Sequence, residues 1–355
     1  MRPLIKLLSV LTVVVLCLTL CACGKKEPPA ITSSDSQSSS ENPVSSEAAQ
    51  EKSEFVINPL TGVASITEEE AEFKPLAVAI NNVKVAQPIQ AGVSGADIVF
   101  ETVTEAGITR LLGIFKAPTA EMGNIGSIRS ARTVFAELSA MFNAVYVHHG
   151  MDETYCRPRV NELNIPRIEI STKVDGERIQ NGKAWEHTLY TSGEKLRADI
   201  FNKGYNTDNK SEPWLNFSDA KTTASDSAKS VTVKFNNTSV TNFTYDEETG
   251  VYTRGSSGKE LKDYFTQKTS TFTNVFVLYT GISHYPDNYH TKVSLNGGDG
   301  YYVTKGGYEK ITWQKTGDRS PLAFKDADGK ELTVTPGKSY ICIVDKSATN
   351  SFTVE

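Results

Sequence analysis

Two apolar segments joined by a short link place the tightest limit on how this chain can fold. Residues 97–103 (DIVFETV) and 108–115 (ITRLLGIF) are rich in β-branched and aromatic side chains, which favours strands. The link, residues 105–107, has the right length for a hairpin. We therefore predict an antiparallel pair in which Asp97 and Glu101 share one face, because side chains alternate along a strand.

A helix is predicted directly after this hairpin. A glycine-containing loop at residues 123–127 is followed by apolar residues that recur every three or four positions over 134–142. Ser127 or Ser130 can cap the start of such a helix through a side-chain oxygen. The hairpin, the loop and the helix thus form one local unit.

Charged residues concentrate in this unit. Arg129 and Arg132 are three positions apart, so they point the same way beside the first helical turn, and Arg110 can lie close to the carboxylate face of the hairpin. Guanidiniums next to a helix N-terminus favour a phosphate or carboxylate. A structural network of ion pairs explains the same pattern, and both interpretations stay open here. The candidate ligand-binding residues are Asp97, Glu101, Glu105, Arg110, Arg129, Ser130, Arg132 and His148.

Two histidines end the apolar strand predicted at residues 144–150. His148 and His149 are adjacent, so only one of them can face a given site. That residue could act as a general base or ligand contact, or could be an ordinary hydrogen-bonded histidine. The spacing of His, Cys, Asp and Glu matches no defined ligand set, so neither a metal nor a cofactor is expected.

The first 23 residues have the features of an export signal. Arg2 and Lys6 precede an apolar stretch, residues 7–20, that is short for a membrane span. The sequence LCAC at residues 20–23 resembles the bacterial lipobox, in which the final cysteine, here Cys23, is lipidated. We expect a protein held on the extracytoplasmic face of the cell membrane by its acyl chains. An uncleaved anchor helix is the alternative.

A polar segment separates the signal from the remaining chain. Residues 24–54 are rich in Ser and Glu and contain no aromatic residue, which predicts a disordered tether. The whole chain has a formal net charge of -5 and no long basic run, so nucleic acid is not expected as a partner. The membrane and an anionic envelope or cell-wall component are the expected partners, and protein partners stay open.

The patterns predict an α+β protein of two domains. Residues 55–209 alternate strand and helix signals, including a capping box at 191–194 before a helix with an apolar side at Leu196, Ile200 and Phe201. Residues 210–230 form the connection, and residues 231–355 are a β-rich domain. Its strands are predicted at 231–235, 251–254, 274–279, 310–314, 331–334 and 340–344. Cys156 and Cys342 could form a disulfide, but they fall in different predicted domains.

Short motifs occur in order along the chain after the predicted tether. They are NPLTG at 58–62, PLAVAINN at 75–82, GADIVFE at 95–101, GITR at 107–110, IGSIRSAR at 125–132, AVYVH at 144–148, YDEETGVYTR at 245–254, ITWQK at 311–315 and PGK at 336–338. Together these motifs resemble the YerB family, lipoproteins of Gram-positive bacteria. Thr133 stands where that family often has Pro, and Ala106 where it often has Gly. The resemblance implies a two-domain extracytoplasmic lipoprotein and no established activity.

Three functional hypotheses follow. The first is an envelope protein that binds an anionic ligand at the arginines, with Asp97, Glu101 and Glu105 orienting them. The second is an enzyme that acts on phosphate-linked wall polymer or glycan, since an acidic strand followed by arginines loosely resembles the LytR-CpsA-Psr transferases. The third is an adaptor that meets protein partners through the β-rich domain. Common hydrolase and nucleotide-binding motifs are absent from the sequence, so whether the protein is an enzyme stays open.

We predict that lipidation of Cys23 anchors the protein. In the full-length chain, Cys23→Ser removes the acylated side chain and should move the protein from the membrane fraction to the soluble fraction of lysed cells. Cys21→Ser is the matched control and should leave the protein in the membrane fraction. Retention of the Cys23→Ser variant in the membrane would instead indicate an uncleaved anchor helix.

Overall fold

The computed structural model describes residues 54–119, 121–207, 209, 212–219 and 226–355. The predicted signal peptide (1–23), the predicted tether (24–54) apart from Glu54, and much of the predicted connection (210–230) lie outside the described residues. The described residues belong to one compact unit that spans both predicted domains. The boundaries at 209 and 231 remain predictions.

Helices are confined to the first part of the described chain, and strands run through all of it, so the predicted α+β class is confirmed. Among the described residues, no helix is both long and apolar enough to span a membrane.

The helices are α1 (Glu68–Ala71), α2 (Thr133–Met141), α3 (Cys156–Glu162) and α4 (Gly193–Asn202). The first strands are β1 (Val56–Asn58), β2 (Val63–Ile66), β3 (Leu76–Asn81), β4 (Ile98–Val103), β5 (Thr109–Phe115), β6 (Asn124–Gly126), β7 (Val145–His148), β8 (Arg167–Glu169), β9 (Glu177–Arg178), β10 (Leu189–Ser192), β11 (Asn216–Phe217) and β12 (Asp226–Ser227). The remaining strands are β13 (Ser230–Lys234), β14 (Val240–Asp246), β15 (Val251–Ser256), β16 (Lys259–Glu260), β17 (Thr271–Phe272), β18 (Asn274–Thr280), β19 (Ile282–His284), β20 (Thr291–Val293), β21 (Gly297–Thr304), β22 (Gly307–Gln314), β23 (Ala323–Lys325), β24 (Thr333–Val334), β25 (Ser339–Asp345) and β26 (Phe352–Val354).

An 11-stranded sheet in the order β12-β22-β21-β18-β25-β4-β5-β3-β7-β8, with β23 beside β22, runs through both predicted domains. The two predicted domains meet where β25 pairs in parallel with β4, and this pairing places Cys342 opposite Glu101. The predicted hairpin is confirmed, because β4 and β5 are antiparallel and place Thr102 opposite Arg110. Strands β3, β7 and β8 are parallel to one another.

The central sheet is buried on both faces, as expected for strands that read as unbroken apolar runs. Strand β3 (LAVAIN) is buried at every residue. One face packs against α2 and α3, for example Phe100 and Tyr146 with Phe135 of α2. The other face packs against a second sheet, in the order β16-β15-β14-β13-β26 with β17 beside β15, where Val99 belongs to the same cluster as Phe243.

The helix starts differ from the predicted caps. Helix α2 has Arg132 as its N-cap and no side-chain cap, so neither Ser127 nor Ser130 caps it. Helix α4 is capped by Ser192, whose Oγ accepts from the Lys195 amide at 3.3 Å, one residue later than the start of the predicted box. Phe201, predicted on the buried side of that helix, is 53% exposed.

The two cysteines of the folded part are free and buried. Cys156 lies at the start of α3 in the cluster on the helix-covered face of the sheet. Cys342 lies on β25 and points to the opposite face, into the other cluster. The sheet stands between the two thiols, so they form no disulfide.

The buried Glu101 carboxylate accepts hydrogen bonds from residues of both predicted domains. Its Oε1 accepts from Asn82 Nδ2 at 2.7 Å and from Thr109 Oγ1 at 2.8 Å. Its Oε2 accepts from Thr241 Oγ1 at 2.8 Å and from the Tyr340 hydroxyl at 2.6 Å. Four donors from both halves therefore satisfy one buried carboxylate, as a buried charge requires.

A buried cation lies beside this carboxylate. The Arg254 guanidinium donates to Asn82 Oδ1 at 2.8 Å and to Gln90 Oε1 at 3.0 Å, and stands 5.4 Å from the ring centroid of Tyr340. Asn82 and Tyr340 each contact both charged groups, so they link Arg254 to Glu101. Besides the pairing of β25 with β4, the two predicted domains are therefore joined by a hydrogen-bonded network that links two buried charged groups.

We predict that Glu101→Ala lowers the free energy of unfolding by about 3 to 5 kcal/mol, because it leaves four buried donors without an acceptor. Urea denaturation followed by circular dichroism measures the change. Exposed Glu331→Ala is the matched control and should shift the value by less than about 0.5 kcal/mol. A loss below about 1 kcal/mol for Glu101→Ala would contradict the structural role of the network.

Candidate functional site

One edge of the central sheet gathers most of the predicted site residues. Strands β3, β4 and β7 end at this edge, and β5 begins there because it runs antiparallel to β3 and β4. Glu105 follows β4, Arg110 lies at the start of β5, and His148 ends β7. In open α/β sheets the carboxyl ends of parallel strands are the usual place for a ligand.

Arg110 is a buried guanidinium at this edge. It is 3% exposed, and its Nη1 donates to the Ser130 carbonyl oxygen at 2.9 Å. Burial and the charges of Arg132 and Arg129 together lower the pKa of Arg110 to about 9, while Glu105 opposes them. Ser130 therefore contacts Arg110 through its backbone carbonyl.

Arg132 and Glu105 form the ion pair of the site. Arg132 Nε donates to Glu105 Oε2 at 2.6 Å, and Nη2 lies 2.5 Å from the same oxygen. Burial opposes ionisation, but the hydrogen bond and charge of Arg132 lower the pKa of Glu105 overall. The Arg132 amide donates to the Tyr146 hydroxyl at 3.0 Å, which holds the backbone in place where α2 begins.

A small sheet brings Arg178 to the same group of arginines. Strand β10 pairs with β6 on one side and β9, which carries Arg178, on the other. Arg178 stacks over the Trp185 indole, with 3.3 Å from its Cζ to the ring centroid, and donates to the Trp185 carbonyl at 2.6 Å. Burial and the charge of Arg129 lower the pKa of Arg178. No motif marks Arg178 in the sequence, because it lies 46 positions beyond Arg132 and only pairing to β10 brings it close.

Arg129 is close enough to Arg132 and to Arg178 to interact electrostatically with both. Its amide donates to the Ala79 carbonyl at 2.9 Å, which fixes the loop against β3, and its Nη1 donates to the Glu186 carbonyl at 2.9 Å. Burial and the charge of Arg132 lower the pKa of Arg129, while the charge of Glu186 opposes them. We name Arg110, Arg129, Arg132 and Arg178 the arginine cluster.

The arginine cluster carries more positive charge than its neighbours neutralise. Of its four members, only Arg132 forms an ion pair with a described residue, Glu105. Arg110, Arg129 and Arg178 donate to backbone carbonyls instead. Backbone carbonyls carry no net charge, so the cluster keeps a surplus that attracts an anion.

The two histidines occupy different places at this edge. His148 is buried against Tyr146, and its Nδ1 lies 3.0 Å from the Gly150 carbonyl, which can only accept, so Nδ1 carries the proton. Burial lowers the pKa of His148 to about 4. His149 lies nearer the cluster, with its Nε2 3.5 Å from Arg178 Nη2. His149, which was not among the candidate residues, is thus the histidine that contacts an arginine of the cluster.

Asp97 and Glu101 do not orient the arginines, which corrects the prediction. Asp97 lies at the opposite end of β4, where it accepts from Asn58 Nδ2 at 2.9 Å and from the Lys116 amide at 2.8 Å. Glu101 faces away from Arg110, because Arg110 is opposite Thr102 in the hairpin. Glu105 alone of the three carboxylates pairs with the cluster. In the described residues, no group of three or more His, Cys, Asp or Glu is arranged to hold a metal ion.

Comparison with known proteins gives consistent matches along the chain. Residues 60–206 match the model described as protein of unknown function (DUF3048) N-terminal domain, and residues 231–341 match its C-terminal domain. A Bacillus subtilis (strain 168) protein named "Putative lipoprotein YerB" is 30% identical over 298 residues, which cover 81% of this chain and 85% of that protein. The crystal structure of YerB from Bacillus subtilis superposes with a TM-score of 0.73 at 28% identity, covering 84% of this chain and 99% of that one.

We predict that His148 makes the protein less stable in acid. Its pKa is lowered from 6.5 to about 4 by burial. Between those values the unfolded chain binds the proton and the folded chain does not, so stability falls as pH falls, by up to about 3 kcal/mol from this group. Above pH 6.5 the effect vanishes.

Urea denaturation at several pH values measures this dependence. Between about pH 4 and pH 6.5, the free energy of unfolding should depend less on pH in His148→Asn than in the wild type. The matched control, exposed His284→Asn, should show the wild-type dependence. Identical slopes for wild type and His148→Asn would show that His148 is not buried in its neutral form.

Proposed function

The chain belongs to the DUF3048 family, and we propose that it is a lipid-anchored protein of the extracytoplasmic membrane face that binds an anionic ligand at the arginine cluster. The name of the Bacillus subtilis relative supports the anchored location, together with the lipobox-like sequence that ends at Cys23. The ligand bears a phosphate or carboxylate, because these groups accept paired hydrogen bonds from guanidinium.

The unneutralised charge of the arginine cluster carries this proposal. Arg110, Arg129 and Arg178 each have a lowered pKa because of burial, with other arginines contributing. Holding several guanidiniums close together costs free energy that an anion between them offsets. A cluster built only for stability would place a carboxylate beside each guanidinium, as Glu105 stands beside Arg132.

The scaffold also suits the binding of a ligand. The arginines come from a strand start, a loop and a small sheet, which meet at the carboxyl-end edge of β3 and β7. Trp185 is 67% exposed beside Arg178, so a ring or apolar part of the ligand can pack next to its anionic group. A lipid anchor would hold this site near envelope components, which are the proposed source of the ligand.

The test uses full-length protein purified from its own host in mild detergent, compared with the Arg129→Gln, Arg178→Gln double variant. These two arginines are chosen because neither is paired with a carboxylate, so their loss leaves no buried negative charge behind. Native mass spectrometry should find an anionic molecule bound to the wild type and absent from the variant. Inorganic pyrophosphate should bind the variant about tenfold more weakly by calorimetry.

Lys325→Gln with Lys346→Gln removes the same charge elsewhere and is the matched control. It should bind like the wild type. Equal pyrophosphate affinity in wild type, double variant and control would refute a site at the arginine cluster, and the arginines would then be structural.

A further inference from the structure

A second basic surface lies at the opposite edge of the same strands. An open groove of about 1340 Å³ runs beside the starts of β3, β7 and β8, whereas the arginine cluster lies where β3 and β7 end. The separation follows from the parallel direction of these strands. We name this surface the basic groove. Its charged lining residues are Lys74, Arg167, Glu169, Lys203 and Arg319.

The basic groove has the opposite charge to the protein as a whole. Among the described residues that line it, four are basic and Glu169 is the one acidic residue. The complete chain has a formal net charge of -5. A concave surface of one sign concentrates ligands of the other sign.

The strand order and register place part of this charge along one side of the sheet. Lys74 precedes β3, Asn143 precedes β7 and Arg167 begins β8, and the three strands are neighbours in the sheet. Neighbouring strands are about 4.8 Å apart, and the register sets Arg167 level with Ala77, three residues beyond Lys74, so the Cα atoms of Lys74 and Arg167 stand roughly 14 Å apart. Lys74 Nζ donates to Asn143 Oδ1 at 3.2 Å, which places the amide between the two cations.

The arginines of the basic groove contact neutral groups. Arg167 Nη1 lies 3.4 Å from Asn161 Oδ1, and Arg319 Nη2 donates to the Leu163 carbonyl at 2.6 Å. Neither forms an ion pair in the described part of the chain, while Lys203 lies 3.8 Å from Asp199. The charge of Arg319 acts on Asp318 and that of Arg167 acts on Glu153, but no direct ion pair with a described residue neutralises either guanidinium, so both can still contact a ligand.

We propose that the basic groove binds a linear polyanion in which phosphate or carboxylate groups repeat along a flexible backbone. A groove of this volume exceeds what a single small anion fills, and several basic side chains spread along it match repeated charges on a chain. The side-chain amides of Asn143 and Asn164 line the groove and add hydrogen bonds to the polymer. This site is independent of the arginine cluster, since the two share no residue.

Fluorescence anisotropy on the full-length protein tests the proposal, with labelled inorganic polyphosphate and labelled poly-L-glutamate as probes. The wild type should bind at least one probe, more weakly as salt rises. Arg167→Gln with Arg319→Gln should weaken binding about tenfold through two lost charge contacts. Preference for one probe distinguishes phosphate from carboxylate.

Two matched variants complete the experiment. Lys234→Gln with Lys325→Gln removes the same charge from strands outside the groove and should bind like the wild type. Arg129→Gln with Arg178→Gln weakens the arginine cluster, and in that background Arg167→Gln with Arg319→Gln should still weaken polymer binding about tenfold, which separates this site from the arginine cluster. Absence of wild-type binding to both probes, or an equal loss in the Lys234 and Lys325 control, would overturn the proposal, provided that circular dichroism shows all variants folded.

Discussion

The pairing of β25 with β4 is the contact on which the rest of the structure depends. It joins a strand from near the end of the chain to the hairpin strand that carries Glu101, and makes one sheet of two family regions. The buried Glu101 carboxylate reinforces this contact, because its four donors come from both regions. A buried carboxylate tolerates no missing donor, so the two regions must close on each other in one register.

The shared sheet also explains why charge collects at two places. Strand interiors such as β3 are buried on both faces, so charged side chains are displaced to the strand ends. At the carboxyl ends the backbone carbonyls of Ser130, Trp185 and Glu186 hold guanidiniums without neutralising them. At the opposite ends Arg167 and Arg319 again meet neutral groups. Both edges therefore keep a positive surplus on an acidic protein.

Predictions that rest on contacts between residues close in sequence were correct, whereas predictions that depend on tertiary contacts were wrong. The hairpin of β4 and β5 was predictable because its strands are separated by a short link. The caps of α2 were not, since Arg132 begins that helix while its amide is held by Tyr146, a tertiary contact. Asp97 and Glu101 were grouped with the arginines by proximity in sequence, but hairpin register turns Glu101 to the other face. Arg178 and His149 enter the site through pairing of β9 and β10 and through Trp185.

The sequence by itself determined the secondary structure around the site, the α+β class and the identity of Glu105, Arg110, Arg129 and Arg132 as a charged group, because periodicity and short links act locally. Only the tertiary structure decided that one sheet spans the chain, that Glu101 is a structural carboxylate, and that a second basic surface lies at the far edge. These outcomes depend on which strands pair and in which register. A shift by one residue turns every side chain of a strand to the other face, and strands that are buried on both faces, such as β3, have no polar-apolar alternation that would fix that choice locally.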